Sequence, residues 1–71
     1  MLPAAALQAL GLTSREAEVA QLLARRLSNA ELAAALGVSA HTARHHTERV
    51  MAKLGVRRRS EVAATLLGAV G

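Results

Sequence analysis

Residues 28–54, SNAELAAALGVSAHTARHHTERVMAKL, carry the pattern that most restricts how this chain folds. Ser28 and Glu31 stand three apart, so the Ser28 hydroxyl accepts the Glu31 amide while the carboxylate reaches back to the Ser28 amide. A helix over 29–36 follows from this reciprocal cap. Leu32, Ala33 and Leu36 recur at helical spacing, and Gly37 stands where a left-handed residue closes a helix without a Cβ penalty. Val38 then turns inward and Ser39 offers a second cap. Ala43, Thr47, Val50, Met51 and Leu54 line one face of a longer helix over 40–54. The pattern is helix, turn, helix.

The other face of that longer segment carries His41, Arg44, His45 and Glu48, with Arg49 and Lys53 on its flanks. Such a face has the donors and acceptors to enter the major groove of duplex DNA while the preceding helix crosses the backbone. The same spacing is met by a plain helical hairpin whose charged face is solvated. Spacing alone leaves both readings open.

Charge narrows the choice of partner. The chain has a net charge of +4, and residues 1–39 balance three Arg against three Glu, so the whole excess lies in residues 40–71. An anionic partner for one face is implied, either nucleic acid or an acidic membrane surface. The basic segment lacks the broad aromatic and aliphatic face that buries into lipid, which weakens the membrane reading. The chain has no Phe, Trp or Tyr, so it has no stacking platform for single-stranded nucleic acid. A basic surface without aromatics favours double-stranded DNA. The absence of Cys excludes disulfides and thiolate metal sites.

At 71 residues the chain makes one small domain of modest core. Pro3 suits a first helical turn, and Ala4 to Leu10 form a short helix that Gly11 ends. Residues 1–11 thus read as an N-terminal extension or linker, and 12–71 as the domain. The apolar opening lacks a basic leader and is too short for a membrane span, so a cytoplasmic protein is expected. Thr13 and Glu16 repeat the capping spacing, and Val19, Leu22, Leu23 and Leu27 give an apolar stripe for a helix over 14–25. Arg25 and Arg26 close it at the negative end of its dipole.

Gly55 stops the segment 40–54, and Val56 folds back onto the core. Arg57, Arg58 and Arg59 then precede Ser60, a candidate cap for a helix over 60–69. Three arginines beside a helix N-terminus make a phosphate clamp, or else a solvated charge run. The last helix, SEVAATLLGAV, is apolar on more than one face. Its surplus surface points to a homodimer, with Val62, Thr65, Leu66 and Ala69 as the expected contact; a fraying C-terminus is the alternative.

His41 and His45 are one helical turn apart with Glu48 beyond, yet a solvent-facing helix closes no metal shell, and no metal or other cofactor is expected. Ser39 and the histidines form no hydrolytic triad, since the chain contains no Asp, and an enzyme is not expected. His46 sits between Ala43 and Val50 and takes a half-buried structural place.

The runs LTSREAEV at 12–19, LSNAELAAALGVS at 27–39 and KLGVRRRSE at 53–61, with Thr42, Arg44 and His46, resemble the LuxR-type (GerE-like) DNA-binding domain of bacterial transcription regulators. The resemblance implies an all-α, four-helix helix-turn-helix bundle, to which 4–10 adds a short extra helix. It implies that 40–54 enters the major groove and that 60–69 makes the dimer contact. It assigns base reading to Arg44, with His45 and Glu48 beside it, and backbone contacts to Asn29, Thr42 and Lys53. The exposed face adds His41 to the readers, and the charge distribution adds Arg49, Arg57, Arg58 and Arg59 to the phosphate set. A regulatory domain N-terminal to residue 1 and a protein that stands alone are both left open. Three positions depart from the family pattern. Glu48 stands where a basic or neutral residue is usual, Ala43 and Thr47 replace larger apolar residues, and Arg26 replaces a glycine. A left-handed Arg26 would store roughly 1–2 kcal/mol. The competing readings are a promoter binder like region four of a sigma factor, against which the KLGV turn argues, and a protein-interaction module that uses the apolar last helix.

Overall fold

The computed structural model describes the backbone of residues 4–70 and the side chains of residues 6–68. Pro3 and the side chain of Ala69 lie outside those bounds. Five helices follow one another: α1 (Ala4–Gln8), α2 (Ser14–Ala24), α3 (Asn29–Leu36), α4 (Ala40–Leu54) and α5 (Ser60–Val70). The described residues contain no strand, and no described helix is long and apolar enough to cross a membrane. This is the all-α helix-turn-helix bundle, with a short helix added at its N-terminus.

Local chemistry sets where three of the helices begin. At α2 the Thr13 hydroxyl accepts the Glu16 amide at 3.1 Å, and the Glu16 carboxylate accepts the Thr13 amide at 2.9 Å. The same exchange opens α3, from the Glu31 amide to Ser28 Oγ at 3.2 Å and from the Ser28 amide to Glu31 Oε1 at 2.8 Å. Ser39 caps α4 by accepting the Thr42 amide at 3.1 Å. Ser60 does not cap α5. It lies inside the helix, and the first amides, of Glu61 and Val62, donate instead to the carbonyls of Arg58 and Arg59 at 3.0 and 3.1 Å. The backbone of the arginine run has taken over the task expected of the serine hydroxyl.

Three helices end in the same way. Beyond α3 and α4, Gly37 and Gly55 adopt φ of 68° and 71°, and the next residue donates back to the helix, Val38 to Ala33 and Val56 to Met51. At the end of α2 the equivalent bonds run from Arg26 to Leu23 and from Leu27 to Leu22, with Arg26 at φ 63°. Arg26 therefore holds the left-handed turn that Gly37 and Gly55 hold beyond α3 and α4. Its Cβ makes the turn costly.

Helix α2 is the hub, touching each of the other four. Leu7, Val19, Leu32, Val50, Val62 and Leu66 are fully buried around it. Leu7 brings α1 into this core against α2 and α5. Full burial of Val62 and Leu66 corrects the dimer contact expected of them. In α5 these two face inward at i, i+4 spacing, and their apolar surface is spent inside the subunit. The outward apolar residue is Leu67, 62% exposed, beside a half-buried Thr65.

Polar ties also span the bundle. The Glu16 side chain, only 7% exposed, accepts Lys53 Nζ at 2.6 Å, and the same ammonium donates to the Gly11 carbonyl at 3.2 Å. This joins the start of α2 to the end of α4. The Arg59 guanidinium donates to Asn29 Oδ1 and to the Leu27 carbonyl, joining the approach to α5 with the start of α3. A forked donor meets two acceptors held by rigid backbone.

Two outcomes follow for stability. Arg26→Gly should stabilise the domain by up to about 1 kcal/mol, the relieved strain exceeding the added chain entropy. A thermal melt checks it, and a lowered midpoint would contradict the strain. The Glu16 carboxyl is held down from 4.5 to about 2, first by the Lys53 hydrogen bond and then by the Thr13 amide, against a smaller push upward from desolvation. A depressed carboxyl stabilises the fold above its unfolded value and ceases to as pH falls through its folded value. Urea midpoints should therefore drop as pH falls from 4.5 toward 2, and less steeply in Glu16→Gln. Identical pH profiles for the two proteins would exclude Glu16 as the source.

Candidate nucleic-acid interface

Helix α4 is held by one side only. Ala43, Thr47 and Val50 are buried at i, i+4 and i+7, with Met51 and Leu54 packed beside them. Small residues here let α4 lie close to α3 and α2. Thr47 is a polar group in that seat, and its hydroxyl donates to the Ala43 carbonyl at 2.9 Å, so no buried donor is stranded. His46 is half-buried at the margin of the seat.

The face pointing away carries His41, Arg44, His45, Glu48 and Arg49, all exposed. Sequence periodicity brings these five together, and the packing of Ala43 and Val50 aims them outward. The His41 and His45 rings meet edge to face, centroids 4.6 Å apart. Among the described residues Arg44, Arg57 and Arg58 make no ion pair. Arg49 is 73% exposed and approaches Glu16 only to 3.9 Å.

Two expected phosphate contacts have different employment. Lys53, expected at the phosphate backbone, donates to the Glu16 carboxylate and the Gly11 carbonyl. Its charge is neutralised within the fold. Arg59 is likewise committed, bonding Asn29 Oδ1 and the Leu27 carbonyl, so the arginine run leaves Arg57 and Arg58 exposed and ties the half-buried Arg59 to the start of α3. Asn29 stays half-buried at the start of α3. With Oδ1 receiving Arg59, its side-chain amide is left as a donor. Thr42 is half-buried and its hydroxyl accepts from Ser39 Oγ at 3.0 Å.

Sequence reasoning gave Glu16 a capping role and missed its second one. Lys53 lies 37 residues downstream, and no local spacing links the two. The one signal was the pairing of an acidic residue at the start of α2 with a lysine at the end of α4, which only the packing of α2 across α4 brings together.

Residues 10–66 match the family described as bacterial regulatory proteins, luxR family. The spore germination protein GerE of Bacillus subtilis (strain 168) is 43% identical over 56 residues, covering 79% of this chain and 76% of GerE. The nitrate/nitrite response regulator protein NarP of Escherichia coli (strain K12) is 45% identical over 56 residues. That match takes in 79% of this chain and 25% of NarP, so the chain corresponds to about a quarter of that relative. No solved structure matches significantly. The family is one of DNA-binding transcription regulators and not of enzymes. With a helix-turn-helix over α3 and α4, an outward basic ridge on α4 and a family match from 10 to 66, this chain belongs to the LuxR family of bacterial regulatory proteins and carries its DNA-binding domain.

Proposed function

We propose that α4 reads duplex DNA in the major groove and that this domain is the output unit of a cytoplasmic transcription regulator. The observation that carries the reading is the division of α4 into a buried face, Ala43, Thr47 and Val50, and an outward face, His41, Arg44, His45 and Glu48. Among the described residues Arg44 makes no ion pair, and its fork suits the O6 and N7 acceptors of guanine. Glu48 accepts from a cytosine amino group, and His41 and His45 read beside it. Arg49, Arg57 and Arg58 contact phosphates, aided by the Thr42 hydroxyl and the side-chain amide of Asn29.

Dimerisation through α5 is part of the proposal, on a revised face. Thr65 is kept, Leu67 takes the place of Val62 and Leu66, and Ala69 follows one turn beyond Thr65. An open groove of about 790 Å³, lined in part by Leu22, Ala63 and Leu67, borders this edge. A two-fold dimer would read two half-sites about one helical turn apart. A regulatory domain preceding residue 1 fits the NarP match, which occupies a quarter of a longer protein. Residues 1–11 would then form the approach to the 12–71 unit, anchored to it by Leu7.

Selection from a random duplex library gives the preferred site. On that site Arg44→Ala should cost about 1–3 kcal/mol and relax one base position, with little change on random DNA. Equal loss on both would reduce Arg44 to a phosphate contact. Arg58→Ala should weaken all sequences alike and make the salt slope shallower by about one unit.

A further inference from the structure

We propose that Glu16 is a positioning residue that withholds the Lys53 charge from the phosphate backbone and so holds down the sequence-independent affinity of the domain for DNA. The inference rests on α4 reading the major groove.

The chain contains its own comparison. Glu16 and Glu31 occupy the same place in two capping boxes. Glu31 caps its helix while exposed, and among the described residues it has no cationic partner. Capping therefore requires neither burial nor a counter-charge. Glu16 has both: its residue is 5% exposed, Oε1 takes Lys53 Nζ at 2.6 Å as well as the Thr13 amide at 2.9 Å, and Oε2 stands 3.9 Å from Arg49 Nε. The surplus interactions point at the C-terminal half of α4, where Arg49 and Lys53 are one turn apart.

Those cations differ in how tightly they are held. Lys53 is 38% exposed and also donates to the Gly11 carbonyl, so two fixed acceptors hold one ammonium. Arg49 is 73% exposed and approaches the same carboxylate only to 3.9 Å. A free lysine at the edge of the ridge would attract every duplex alike through counterion release, adding affinity without information. Paired to Glu16 it adds almost none of that attraction. Withdrawing it lowers the uniform, salt-dependent part of the affinity and leaves discrimination between sequences to the base-reading face of α4.

The test is a fluorescence-anisotropy titration of the full chain on a random-sequence duplex across a potassium chloride series. It compares wild type, Glu16→Gln, Lys53→Met and the double variant, each checked for helical circular dichroism. Glutamine keeps the capping geometry while removing the charge. Lys53→Met should leave the wild-type slope unchanged. Glu16→Gln should steepen it by about one unit and tighten low-salt binding several-fold, and the double variant should return to the wild-type slope. A slope about one unit shallower in Lys53→Met would overturn the proposal, because Lys53 would already be on phosphate. So would an unmoved slope in Glu16→Gln, or an equal steepening with and without Lys53, which would be net charge alone. If Glu16→Gln fails to fold, the Lys53→Met slope decides. Wild-type binding that ignores salt would instead sink the groove reading itself.

Discussion

Whatever α4 does, it does because one of its faces is seated by three small side chains. Ala43, Thr47 and Val50 let the helix lie close to α2 and α3, and nothing larger props it away. A thin seat has little surface to bury, so the contact draws on polar ties as well. The Thr47 hydroxyl spends itself on the Ala43 carbonyl, and Lys53 fastens the far end of the helix to Glu16. The outcome is a helix fixed in direction whose opposite face is free of the protein. Rigid presentation of that face is what groove recognition demands.

The positive charges divide accordingly into scaffold and surface. Lys53 and Arg59 are spent on Glu16, Asn29 and backbone carbonyls, and they set how α2, α3, α4 and α5 meet. Arg44, Arg57 and Arg58 carry their charge to solvent. The net charge of +4 thus overstates some cations and understates others as contributors to DNA affinity. Position along the chain does not separate them, since Arg58 and Arg59 are neighbours with opposite fates.

Local signals were legible and distant ones were not. Both capping boxes, the Ser39 cap and the glycine stops follow from spacing within six residues, the left-handed Arg26 was implied by the family resemblance, and each is present. The outward and inward faces of α4 follow from its period. Lys53 and Arg59 escaped because their partners lie 37 and 30 residues away, beyond any periodicity. Val62 and Leu66 were misread for a related reason. Helix α5 has apolar residues on most of its circumference, and only the position of α2 decides which stripe is core. Ser60 lost its cap to a turn of backbone carbonyls that composition does not announce.

The central claim is that the α4 ridge lies in the major groove. Dimethyl sulfate methylates guanine N7 in that groove and adenine N3 in the minor groove, so a methylation-protection map of a selected site separates the two directly. The account predicts protection of guanine N7 at the base pairs that the site requires, lost in Arg44→Ala while the protein remains bound at low salt. Protection confined to adenine N3, or guanine protection that survives removal of Arg44, would contradict it.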